Sequence, residues 1–95
     1  MSKVYEFEAV IHPVPDKNGA YVIFPFDIRE EFGKGRVKVH ATFDEHPYDG
    51  SIVNMGLKDE ASNVCYIIGI QKAIRAAIGK QAGDRVWVTI QERMD

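Results

Sequence analysis

The sequence predicts a mainly β protein with two short helices, assembled from one strand–helix–strand unit used twice. Three observations lead there. Apolar and polar residues alternate over several stretches, the two-residue period of a strand with one buried face. Two other segments space their apolar residues four apart and stop at a glycine, as a short helix does. These two segments also align with each other, strands included.

Residues 4–11 put Tyr5, Phe7, Ala9 and Ile11 on one face and Glu6 and Glu8 on the other, a half-buried strand. Pro13 and Pro15 end it, because proline cannot donate to a ladder, and Asn18 and Gly19 tolerate the positive φ of a hairpin return. Residues 20–24 are the returning strand, closed by Pro25. Residues 25–33 predict a helix of about two turns, capped by Asp27 with Glu30 in a capping-box position, Ile28 and Phe32 facing the core, and Gly33 ending it. Alternation returns over 36–43, with Val37, Val39, Ala41 and Phe43 inward and Arg36, Lys38, His40 and Thr42 outward.

Residues 44–50 read as an acidic turn, 51–55 as a short strand and 56–62 as a polar loop. Residues 63–70 form a strand with Val64, Tyr66, Ile68 and Ile70 on one face. Ile70, Ile74 and Ile78 then make an apolar stripe beside Ala73 and Ala77, and Gly79 stops that helix. After a turn at Gly83 and Asp84, Val86, Val88 and Ile90 are the inward face of the last strand, and residues 92–95 are expected to fray.

At 95 residues, 1–95 make one domain with one small core. The 45% hydrophobic and 27% charged content is that of an ordinary soluble protein. The lone Cys65 reads as a reduced, buried thiol. No leader is read at the N-terminus and no apolar run nears the roughly 20 residues of a membrane span, so the expectation is a cytoplasmic protein that does not enter a membrane. A net charge of -2 argues against strong nucleic-acid binding. The charge is polarised, however: residues 71–85 carry +3 and residues 44–60 carry -4.

A shift of 46 positions lays Val22 on Ile68, Phe24 on Ile70, Ile28 on Ile74, Arg29 on Arg75, Phe32 on Ile78, Gly33 on Gly79 and Lys34 on Lys80. Beyond the turn the shift becomes 49, and Arg36, Val37 and Val39 meet Arg85, Val86 and Val88. Ile70, Ile74, Arg75, Ile78, Gly79, Gly83, Asp84, Val86 and Val88 together resemble the swapped-hairpin unit of AbrB- and MazE-type proteins. That resemblance implies a closed, double-split-type β-barrel, here a pseudo-dimer because both units lie in one chain. Nearly the whole chain also resembles the small bacterial and archaeal family known only as domain of unknown function nineteen-oh-five. Gly35-Arg36-Val37-Lys38-Val39 and the Lys72-Ala73-Ile74-Arg75 to Val86 pattern carry that likeness, which implies a fold and no particular activity.

The candidate functional residues form a basic set, Arg29, Arg36, Lys38, Lys72, Arg75, Lys80 and Arg85, joined by Trp87. Lys72 and Arg75 are three apart and share a helix face. A solvated surface is the plain role for such charges; an anion or nucleic-acid site is the functional one. Alternation points Trp87 outward with Arg85 and Thr89, where it packs under a neighbouring element or stacks on a base, a ring ligand or a partner protein. His12, His40 and His46 lack metal-ligand spacing, so no metal and no cofactor is expected. Ser51, His46 and Asp49 can be written as a nucleophilic set, but nothing orients the base. No phosphate loop, dinucleotide turn or zinc helix is present. The expectation is a non-enzymatic module binding a small ligand or a protein, as monomer or homodimer. An AbrB/MazE-like DNA-binding or antitoxin-type regulator and a small-molecule enzyme are the alternatives.

Overall fold

Seven antiparallel strands form one sheet curled into a half-barrel, and two short helices fill places where the strands part. The computed structural model describes residues 3–14, 19–58, 62 and 64–93, with the backbone alone over 55–57. The strands are β1 (Val4–Val10), β2 (His12–Pro13), β3 (Ala20–Phe24), β4 (Val37–Phe43), β5 (His46–Lys58), β6 (Val64–Gly69) and β7 (Arg85–Glu92). The helices are α1 (Ile28–Phe32) and α2 (Lys72–Ile78). The order across the sheet is β1-β7-β4-β5-β6-β3-β2.

β1 and β2 lie at opposite ends of that order, yet only Ile11 separates them in the chain. Ile11 is 1% exposed, its N–H donates to the Asp84 carbonyl at 2.9 Å, and its own carbonyl accepts from Gly83 N–H at 2.8 Å. The segment therefore leaves β7 and meets β3 with its backbone satisfied. Pro13 sits in β2, although proline was expected to end the ladder. β2 is an end strand, where a missing donor costs nothing.

The concave face collects the alternating apolar residues. Val22, Val37, Val39, Phe43, Ile52, Ile68, Val88 and Ile90 have no exposed surface, and Phe24 beside them is 2% exposed. Full burial of side chains this size stabilises by about 2 kcal/mol each. The strand over 36–43 is found as Val37–Phe43 with the expected inward set. Each helix adds one buried isoleucine, Ile28 or Ile74. Both end at a glycine in the left-handed region, Gly33 at φ 70° and Gly79 at φ 69°.

Several expectations are corrected. The first helix is five residues long, and Asp27 accepts from Arg29 N–H at 2.8 Å. Residues 44–50 are not a turn. Only Asp44 and Glu45 form the loop, both at positive φ, closing a two-residue hairpin between Phe43 and His46. Pro47 fits inside β5 because the pair next to the loop's closing pair needs no donor toward β4, and β6 does not reach that far. Val64 does not join the buried face of its strand; it is 41% exposed. Glu92 is strand and Arg93 N–H donates to the Lys38 carbonyl at 2.8 Å, so the chain is held through Arg93. The turn expected at Pro15–Asn18, residues 59–61 of the polar loop, Asn63 and residues 94–95 lie outside the described residues.

Candidate functional site

β5 and β6 pair from Ile52 and Ile68 onward, but residues 46–51 of β5 have only β4 beside them. β6 ends at Gly69, the chain turns through Ile70 and Gln71, and α2 fills the parting. The fit is incomplete. A cleft of about 280 Å³ remains, lined by Gly19, Ala20, Tyr48, Gly69, Ile70, Gln71, Lys72 and Arg75.

Each polar group has a structural reason to face it. Tyr48 lies on the inner side of β5, its ring resting where a Cβ on Gly50 would fall. Gln71 occupies the N-cap position of α2 without making a side-chain cap bond; its amide Nε2 reaches toward the Tyr48 hydroxyl at 3.5 Å. Lys72 opens the helix, exposed, and Arg75 follows one turn later, half-buried. The described lining thus holds two cations, an amide and a phenol, and no carboxylate.

Of the expected basic set, Lys72 and Arg75 meet at this cleft, and Lys80 meets Arg85 elsewhere, its Nζ donating to the Arg85 carbonyl at 2.5 Å. Lys80 Nζ pairs with Asp44 at 2.5 Å, and Arg85 pairs with Glu8 of β1 at 3.1 Å. Lys34 pairs with Glu92 at 2.7 Å. In each repeat, then, the lysine after the helix reaches an acid at the end of the other repeat's last strand. Arg29 lies over the turn after α1, its Nη2 beside Gly35. Arg36 and Lys38 are exposed around the start of β4. Trp87 is 46% exposed on the outer face, as alternation required. Its N–H donates to Asp44 Oδ1 at 2.8 Å and its carbonyl accepts from Asp44 N–H at 2.8 Å. Burial works against ionisation of Asp44, but hydrogen bonds from Lys80 and the Trp87 N–H, with the charge of Lys80, outweigh it. Its carboxyl is held below the usual range.

The nucleophilic set is not assembled. Alternation along β5 puts His46 and Asp49 on opposite faces, and Asp49 meets His40 Nδ1 of β4 instead, at 2.6 Å. That hydrogen bond lowers the Asp49 carboxyl despite some desolvation, helped by the charges of His40 and Arg93. Among the described residues no group of three or more His, Cys, Asp or Glu could hold a metal ion, and no helix is long and apolar enough to cross a membrane.

A second cavity, of about 420 Å³, is lined by Ile23, Phe24, Pro25, Phe26, Asp27, Val64, Cys65 and Tyr66. The shift of 46 carries residues 23–26 onto 69–72, and carries 19 and 20 onto 65 and 66. The two cavities therefore occupy matching places in the repeat, with opposite chemistry. Aromatic rings pack the neighbourhood of this second cavity: Tyr5 lies 5.4 Å from Phe24, 5.4 Å from Phe26 and 5.5 Å from Phe32. Burial, then a hydrogen bond to Glu31 and nearby carboxylate charge, push the Tyr5 phenol up. Sequence reasoning missed Tyr48 and Gln71. Tyr48 was hidden in a segment read as turn, and Gln71 carries no charge; matching the repeat onto cavity walls would have found Gln71.

Fold and site together define a small antiparallel half-barrel with a basic cleft. The chain belongs to the family described as Domain of unknown function (DUF1905), whose model matches residues 7–90, from within β1 to within β7. Comparison with curated proteins finds no match.

Proposed function

We propose that this protein is a non-enzymatic binding module whose small ligand enters the cleft between β5 and α2. The observation that carries this reading is the cleft itself, on which Tyr48, Gln71, Lys72 and Arg75 converge from β5 and α2. The scaffold is a closed double-split-type barrel of two AbrB-like units in one 95-residue domain. Two pairings support it. Val22 faces Ile68 and Ala41 faces Ile90, so positions equated by the repeat meet each other, as a two-fold relation requires. β1 and β2 jointly pair with β7 and β3, as β5 pairs with β4 and β6. Two units that complete each other in this way make a monomer sufficient. The DNA-reading alternative finds less support, because Glu6 and Glu8 share the exposed face that Arg85 and Trp87 occupy.

The test is amide chemical-shift mapping of the full chain against a mixed library of charged and neutral small molecules. Hits are expected to move Tyr48, Gly69, Gln71, Lys72 and Arg75 together. Shifts confined to the outer face around Trp87, or hits that move no cleft residue, reject the reading.

A further inference from the structure

The cavity of about 420 Å³ lies where β3 runs out toward α1 beside the start of β6, away from the cleft between β5 and α2. We infer that it is a second binding site, for a small organic cation: an amine in its ammonium form that carries apolar groups. The described lining holds one carboxylate, Asp27, with the rings of Phe24, Phe26 and Tyr66, and no basic side chain. An ammonium uses both kinds of group. Its charge meets the carboxylate, and its alkyl or aryl groups lie against rings whose negative faces attract a cation.

Both kinds of group are held in place before any ligand arrives. Phe26 is 44% exposed, yet its ring packs 5.4 Å from Tyr5 and 5.3 Å from Phe24. Asp27 Oδ1 accepts Arg29 N–H at 2.8 Å, and a carboxylate keeps acceptor sites beyond that one bond. The surroundings favour positive charge. Residues 27–31 carry Asp27, Glu30 and Glu31 against Arg29, whose guanidinium lies past the other end of α1, beside Gly35. Three acids outweigh the partial positive charge at the start of a five-residue helix. The chain itself already uses this preference: Lys3 Nζ lies 4.8 Å from the centre of the Tyr5 ring and 3.6 Å from Glu31. The matching cavity shows that the chemistry is not a by-product of the fold. The shift of 46 puts Lys72 in the place of Phe26, and Ala73, Ala76 and Ala77 in the places of Asp27, Glu30 and Glu31. A volume of about 420 Å³ falls in the lower part of the range for small-molecule sites.

The experiment titrates the full chain with benzylammonium, tetramethylammonium and neutral benzyl alcohol, followed by amide shifts. Both cations are expected to saturate and to move Phe24, Phe26, Asp27 and Tyr66 together, with benzyl alcohol about tenfold weaker than benzylammonium. Asp27→Asn keeps an acceptor for the helix cap and loses the charge. It is expected to weaken both cations about tenfold and to leave benzyl alcohol unchanged. Phe26→Leu keeps an apolar wall and loses the ring, and is expected to weaken tetramethylammonium about fivefold. If Phe26→Leu unfolds, Asp27→Asn decides alone, because asparagine caps a helix as well as aspartate does. Benzyl alcohol that binds as tightly as benzylammonium, or an Asp27→Asn chain that binds the cations as tightly as the parent, overturns the inference. So does a failure of both cations to saturate, and so do shifts confined to Tyr48, Gln71 and Lys72, which report the other cleft.

Discussion

Asp44 does three things from one position. It forms half of a two-residue hairpin at φ 49°, accepts the Trp87 N–H, and pairs with Lys80. Asparagine keeps the left-handed backbone and an acceptor for Trp87 but loses the charge. Asp44→Asn is therefore expected to cost about 1 kcal/mol at neutral pH, a modest figure because the Lys80 pair is partly solvated. The sign with pH follows from the lowered carboxyl. Its contribution is complete above the ordinary carboxylate range and is lost as pH falls through the lowered value. Urea melts of both chains should converge in acid; a gap that stays constant from pH 7 to pH 3 would show that the charge is irrelevant. None of this was legible in the sequence, where Asp44 is one acid in a run of them. Its partners lie 36 and 43 positions away, and nothing local names them.

At the scale of elements, the helices were read more accurately than β5. Both helix ends were legible because each demands a backbone that few residues tolerate. Nothing lies within 4 Å of a Cβ built on Gly33 or Gly79, so replacing either with alanine tests the backbone alone. Gly33→Ala and Gly79→Ala should each lower stability by about 1 kcal/mol, measured by chemical unfolding, and Gly69→Ala, which has no positive φ, should be nearly neutral. Equal losses at all three positions would contradict the assignment. β5 was illegible for the converse reason. Pro47 and Gly50 read as breakers, yet the proline faces the side of the strand that β6 leaves unpaired, and the glycine makes room for the Tyr48 ring. A residue that breaks a central strand is harmless at a parting. That misreading also concealed one wall of the cleft.

For the whole molecule, the repeat was the most informative signal, because matching Ile, Gly and Val positions report a shared packing problem. What it left unstated was which repeat positions would meet. Most pairings run between the halves: β1 with β7, β4 with β5, β4 with β7 and β3 with β6. Neither half alone can cover its apolar face. Fragments 1–44 and 45–95 are expected to be unfolded separately and to regain a dispersed amide spectrum when mixed in equal amounts. A half that folds by itself would undo the two-unit description. The cleft was half legible, since Lys72 and Arg75 announced themselves by charge and helical spacing, whereas the cavity exists only once β6 has left β5.

The paired cavities give this small chain a spare. One copy, around Phe24, Phe26, Phe32 and Tyr5, is crowded with aromatic rings, and its residues hold the half-barrel together. The other, with Lys72 and Arg75 on its wall and Gly69 on its floor, carries little of that burden. Variation in that second copy can therefore reshape the cleft while the first keeps the molecule folded. Within a family sharing this architecture, the walls around positions 48, 71, 72 and 75 are where relatives should diverge from one another, and the ring cluster is where they should agree.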